Sequence, residues 1–66
     1  MDNLIGNRIK TQRRKQQLTQ EELVRKIDIS YATLSKIETG AIKNPSIKTI
    51  QKIANGLGLT VDSLIN

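Results

Sequence analysis

Residues 18–40 read LTQEELVRKIDISYATLSKIETG, and the rest of the chain is arranged to hold them. Thr19 is followed three residues later by Glu22. At that spacing a hydroxyl and a carboxylate satisfy backbone N–H groups that the start of a helix leaves without partners. Leu23, Val24 and Ile27 then recur at helical spacing and stop at Asp28, which limits this helix to about two turns. Ser30 opens a second run from Tyr31 to Thr39, with Leu34 and Ile37 facing inward and Gly40 as its stop.

Two short helices joined by a tight turn form a helix-turn-helix, whose second helix can lie in the major groove of DNA. The segment, about residues 19–39, resembles the helix-turn-helix of the Cro and phage-repressor family, and the likeness runs from about Leu4 to Leu64. It is carried by Arg8 and Ile9, Arg13, the string LTQEEL from Leu18 to Leu23, Ser30, Leu34, Ile37-Glu38, Gly40, and NPS at Asn44 to Ser46. Ala54, Leu57-Gly58 and Val61-Asp62 fit the same pattern. The resemblance implies an all-α, compact five-helix, lambda-repressor-like DNA-binding domain occupying residues 1–66 as a single unit.

Composition bounds the chemistry independently. A chain of 66 residues supports one domain with a small core. Cysteine and histidine are both absent, which removes disulfides, thiolate and imidazole metal sites, thiol catalysis and histidine acid–base work together. No apolar run is long enough to span a membrane, and the N-terminus lacks the apolar region of a signal peptide, so a soluble, cytoplasmic protein is expected. A net charge of +5 on so small a body favours a polyanionic partner such as nucleic acid, although basic ribosomal and membrane-surface proteins share that charge.

Met1 to Gln17 reads as a first helix, capped by Asp2 or Asn3, with Leu4, Ile5 and Ile9 toward the core. Its polar remainder holds Arg8, Lys10, Arg13, Arg14 and Lys15, a solvated basic face or a surface for a polyanion. By the family resemblance Arg13 lies beside Glu38, and the implied structural ion pair fixes the first helix against the third. Four positions depart from the family pattern. Gln17 stands where a helix-ending glycine is usual, and Gln12 replaces an apolar residue. Asp28 occupies the glycine position of the central turn, where its tolerance of positive φ is expected to preserve the turn. Val24 replaces a close-packed alanine.

On the second helix of the motif an outward stripe, Tyr31, Ala32, Ser35 and Lys36 with Thr33 beside it, opposes the inward Leu34 and Ile37. The resemblance puts Tyr31, Ala32, Thr33 and Lys36 where base edges are read. Lys36 can donate to guanine O6 and N7, and Ala32 can touch a thymine methyl. Phosphate contacts are assigned to Gln20 at the start of the first helix of the motif, to Ser35, and to Lys43 and Asn44 in the following loop. For Lys43 a solvated loop lysine is the alternative.

From Pro45 the chain enters a fourth helix, with Ser46 as cap and Ile47, Ile50, Ile53, Ala54 and Leu57 as an apolar stripe. Gly56 within it reads as a weak point, costing about 1 kcal/mol relative to alanine. Gly58 ends the helix, and Thr60 caps a short last one, VDSLI. Val61, Leu64 and Ile65 form either the closure of the core or a two-fold dimer contact.

The six carboxylates, Asp2, Glu21, Glu22, Asp28, Glu38 and Asp62, are scattered through caps, turns and ion pairs. No phosphate loop, nucleophile motif, metal cluster or cofactor site is evident. The expected function is therefore not enzymatic. It is that of a sequence-specific transcriptional regulator, a repressor rather than an activator, binding double-stranded DNA as a homodimer at a palindromic operator. The alternatives are the antitoxin of a toxin–antitoxin pair, with a toxin or other regulatory protein as second partner, and a helix-turn-helix used only as a protein-interaction module.

Overall fold

The computed structural model describes residues 4–65, which form five helices and, among the described residues, no strand: α1 (Leu4–Lys15), α2 (Gln20–Lys26), α3 (Tyr31–Thr39), α4 (Ile47–Leu57) and α5 (Val61–Ile65). Asp2 and Asn3, expected to cap α1, lie outside the described residues.

A hydroxyl side chain sets the start of each of the four later helices. Thr19 accepts from the Glu22 N–H at 3.0 Å while Glu22 accepts from the Thr19 N–H at 2.8 Å, completing the capping box. Hydrogen bonds from the backbone and hydroxyl of Thr19 hold the Glu22 carboxyl below its ordinary range. This cap therefore contributes in full above the ordinary carboxylate pKa and is lost as pH falls through the depressed one. Ser30, Ser46 and Thr60 accept from the N–H groups of Thr33, Thr49 and Ser63 in the same way.

The ends are set by backbone geometry. Gly58, at φ +68°, lets the Gly58 and Leu59 N–H groups reach back to the Asn55 and Ala54 carbonyls. At the end of α1 the same pattern is made without glycine. Gln17 takes φ +59°, its N–H donates to Arg14 and that of Leu18 to Arg13. A side chain in this left-handed region crowds its own carbonyl, so Gln17→Gly is expected to raise stability by about 1 kcal/mol. In a domain of this size that moves the melting temperature upward by roughly 4–8 °C, which thermal denaturation followed by circular dichroism will read.

The central turn differs from expectation. Gln17 is the one non-glycine residue with positive φ among the described residues, so Asp28 makes no use of that region. Instead α2 ends on an extended Ile27, at φ −132° and ψ 163°. Lys52 of α4 then fastens the turn by donating to the Asp28 carbonyl at 3.2 Å, with the Asp28 carboxylate 3.6 Å away.

The core is Ile9, Leu23, Leu34, Ile37, Ile50, Ile53, Ala54, Leu57 and Leu64, one or more from every helix. α1 packs on α3, α4 and α5, and α2 bridges α3 and α4. Two residues read as core-facing are outside it: Leu4 is 54% exposed and Ile47 58% exposed. Each begins its helix, where helical spacing places a side chain on the right face but no element among the described residues reaches far enough to cover it.

Gly56 is the larger correction. It is buried, and a Cβ built there would stand 2.5 Å from Ile27 Cγ2 and 3.1 Å from Leu23 Cδ1. The residue read as a weak point is where α4 packs tightly against Leu23 of α2 and Ile27 just beyond it.

Candidate nucleic-acid interface

The capped start of α3 and its two inward anchors decide what the helix shows to solvent. Leu34 and Ile37 are fully buried, which rotates Tyr31, Ala32 and Lys36 outward together. Tyr31 is 51% exposed, a large fraction for the only aromatic side chain of the chain. Thr33 and Ser35 are half-buried beside this edge, and Thr33 Oγ1 accepts from the Ser30 hydroxyl at 2.9 Å. The edge thus presents a phenol, a methyl group and an ammonium in a row. That set can donate hydrogen bonds and make apolar contact with base edges in a major groove.

Beneath it lies a buried ionic network. Arg13 Nε donates to Glu38 Oε2 and Arg13 Nη2 to Glu38 Oε1, both at 2.9 Å, a two-pronged pair joining α1 to α3. Hydrogen bonding to Glu38 raises the Arg13 guanidinium above its ordinary pKa, against the opposing effect of burial. Arg13 Nη1 also donates to the Leu18 carbonyl at 2.7 Å, and Gln20 Nε2 donates to Glu38 Oε1 at 3.0 Å. One carboxylate therefore ties α3 to α1 and to the first residue of α2. The Gln20 amide, assigned to a phosphate by the family pattern, is turned inward onto Glu38.

Lys43 and Asn44 are exposed in the loop between α3 and α4. That loop is held by Gly40, at φ +91°, and by the Ile42 N–H donating to the Lys36 carbonyl at 3.0 Å. Both residues also rim a shallow groove whose walls include Leu4, Ile5, Pro45 and Ile65. At the C-terminal end the proposed dimer residues separate. Leu64 is fully buried in its own fold and has no surface to offer a partner, whereas Ile65 is 42% exposed and Val61 half-buried.

Three supports were not anticipated from the sequence. Gln16 Nε2 donates to the Leu57 carbonyl at 2.7 Å, Arg8 Nη1 to the Leu64 carbonyl at 3.3 Å, and Lys52 to the Asp28 turn. The first two use Gln16, just past the end of α1, and Arg8 within it to satisfy carbonyls at the ends of α4 and α5. Nothing local signals them, since the partners are 41 and 56 residues apart.

Among the described residues no group of three or more acidic side chains converges to hold a metal, and no helix is long and apolar enough to cross a membrane.

Comparison with known proteins is consistent with this geometry. The profile of the helix-turn-helix family matches residues 9–64. The immunity repressor protein of Bacillus phage phi105 is 36% identical over 61 residues, covering 92% of this chain and 42% of that protein. The transcriptional regulator SinR of Bacillus licheniformis is 35% identical over 63 residues, 96% of this chain and 57% of SinR. The chain thus spans about half the length of these two relatives. Among solved structures, SinR in complex with DNA superposes with a TM-score of 0.90 at 34% identity, covering 94% of this chain and 98% of the other.

Proposed function

The chain belongs to the helix-turn-helix family of DNA-binding regulators, and from that premise we propose that it is a sequence-specific transcriptional repressor that reads the major groove with α3. The observation that carries this reading is the exposed row Tyr31, Ala32 and Lys36 standing over buried Leu34 and Ile37. In this reading residues 1–66 act as one DNA-binding domain in the cytoplasm. Tyr31, Ala32, Thr33 and Lys36 contact base edges, and Ser35, Lys43 and Asn44 contact phosphates. Gln20 keeps a phosphate role through its backbone N–H and its second amide hydrogen, while the first stays on Glu38.

In this reading the operator is a palindrome. The longest dimension of the fold is 26 Å, shorter than the roughly 34–36 Å between half-sites one DNA turn apart, so a palindrome is read by two copies. Ile65 and the adjoining Leu4 supply exposed apolar surface for their contact.

The reading is tested with the variant Lys36→Ala/Lys43→Ala, which removes one base-edge and one phosphate donor, both on exposed side chains whose loss leaves the core intact. DNA affinity is expected to fall at least about tenfold, given roughly 1–3 kcal/mol for a specific base contact. Unchanged affinity in a titration at fixed salt would count against the proposal.

A further inference from the structure

We propose that Lys10 and Arg14 on α1 form a second grip on the DNA backbone, taking phosphate groups at a place apart from the Lys43 loop. This rests on the DNA-binding reading and extends it to an element outside the helix-turn-helix. The recess between α1, α2 and α3 is lined by Lys10, Arg13, Arg14, Gln20, Glu21, Tyr31 and Glu38. Arg13 and Glu38 neutralise each other through their two-pronged pair, so the field in the recess is left to Lys10 and Arg14 against the single carboxylate of Glu21.

The two cations are four residues apart and therefore side by side on one helix face, an arrangement that weakly destabilises a helix unless something of opposite charge lies across both. Among the described residues neither forms an ion pair. Nor do they cover the core: Arg14 is exposed and Lys10 half-buried. Gln20 and Tyr31, which belong to the proposed DNA face, line the same recess, so a duplex lying on α3 passes in front of it. Lys43 rims a different groove. An extended polyanion is the ligand that can meet Tyr31, the α1 cations and Lys43 at once, and a phosphate backbone is one.

The experiment measures DNA affinity against salt between about 50 and 200 mM for the intact chain, Lys10→Gln/Arg14→Gln and Lys15→Gln, each neutralised phosphate contributing about 0.9 to the log–log slope. The duplex is one selected by the unmodified chain from a random pool. The double variant is expected to lose, for each copy bound, about 1.8 from the slope and roughly fifty-fold in affinity at 0.1 M salt, hence about 3.6 in slope where two copies bind one duplex, with its base preference unchanged. Lys15 is exposed on the same helix and does not line the recess, so Lys15→Gln is expected to keep the parent slope. An unaltered slope in the double variant overturns the α1 grip while leaving the α3 reading in place, and so does an equal loss in Lys15→Gln, which marks a general charge effect. If the unmodified chain selects no duplex at all, the DNA reading itself fails and this inference with it.

Discussion

Glu38→Ala is expected to remove about 3–5 kcal/mol of stability, because it leaves the Arg13 guanidinium buried without its counter-charge. Arg13 is 8% exposed and Glu38 1% exposed, so water cannot take over the lost contacts without the helices parting. A domain of this length has a total stability of the same order, about 0.05–0.15 kcal/mol per residue. The variant should therefore be largely unfolded at 37 °C and show an early, low-denaturant midpoint at 25 °C. Arg13→Ala is expected to cost about as much, since it strands a more deeply buried charge: the carboxylate keeps the Gln20 amide, as the guanidinium in Glu38→Ala keeps the Leu18 carbonyl. Arg13→Met/Glu38→Leu, which replaces both charges by apolar groups of similar size, should recover much of the loss. A Glu38→Ala protein with parental stability in urea would show that the pair contributes nothing to holding α3.

Gly56→Ala is expected to destabilise by about 1–2 kcal/mol, and Gly56→Val by more, although alanine is the better helix former. The reason is the 2.5 Å approach of a built Cβ to Ile27 Cγ2. That methyl is bonded directly to the Cβ of a β-branched side chain whose χ1 is restricted, so it cannot swing aside as the end of a lysine would. Ile27 is also the last residue before the turn of the helix-turn-helix, and pushing it moves α2 against α3. Ile27→Ala opens the space, so the cost of Gly56→Ala should shrink in that background, a coupling that a double-mutant cycle will measure. A stabilising Gly56→Ala in the parent chain would mean that the contact gives way at no cost.

These two cases mark where the sequence is legible. Thr19 with Glu22, Ser30, Ser46 and Thr60 announce their helices because a cap is a local event, decided within four residues. The inward stripe of Leu34 and Ile37, and with it the outward row of α3, is readable for the same reason. Gly56 misleads because helix propensity counts only its own backbone, while its value lies in a neighbour 29 residues earlier, Ile27. Leu4, Ile47 and Leu64 show the same limit, since periodicity gives the face a side chain occupies and not whether another element covers it. The turn at Asp28 is built from an extended Ile27 and a lysine from α4, neither visible in the turn itself. The link between Arg13 and Glu38 came into view only through the family pattern, and the inward turn of the Gln20 amide not at all.

The central claim is that Lys36, with Tyr31 and Ala32, touches base edges. Selection of bound duplexes from a random pool, at stated salt, by the parent chain and by Lys36→Gln tests it most directly. The parent should return a two-fold related motif, and Lys36→Gln should change the preferred base at one equivalent position in each half-site, because an ammonium favours guanine and an amide adenine. The same motif from both proteins, base for base, would contradict it.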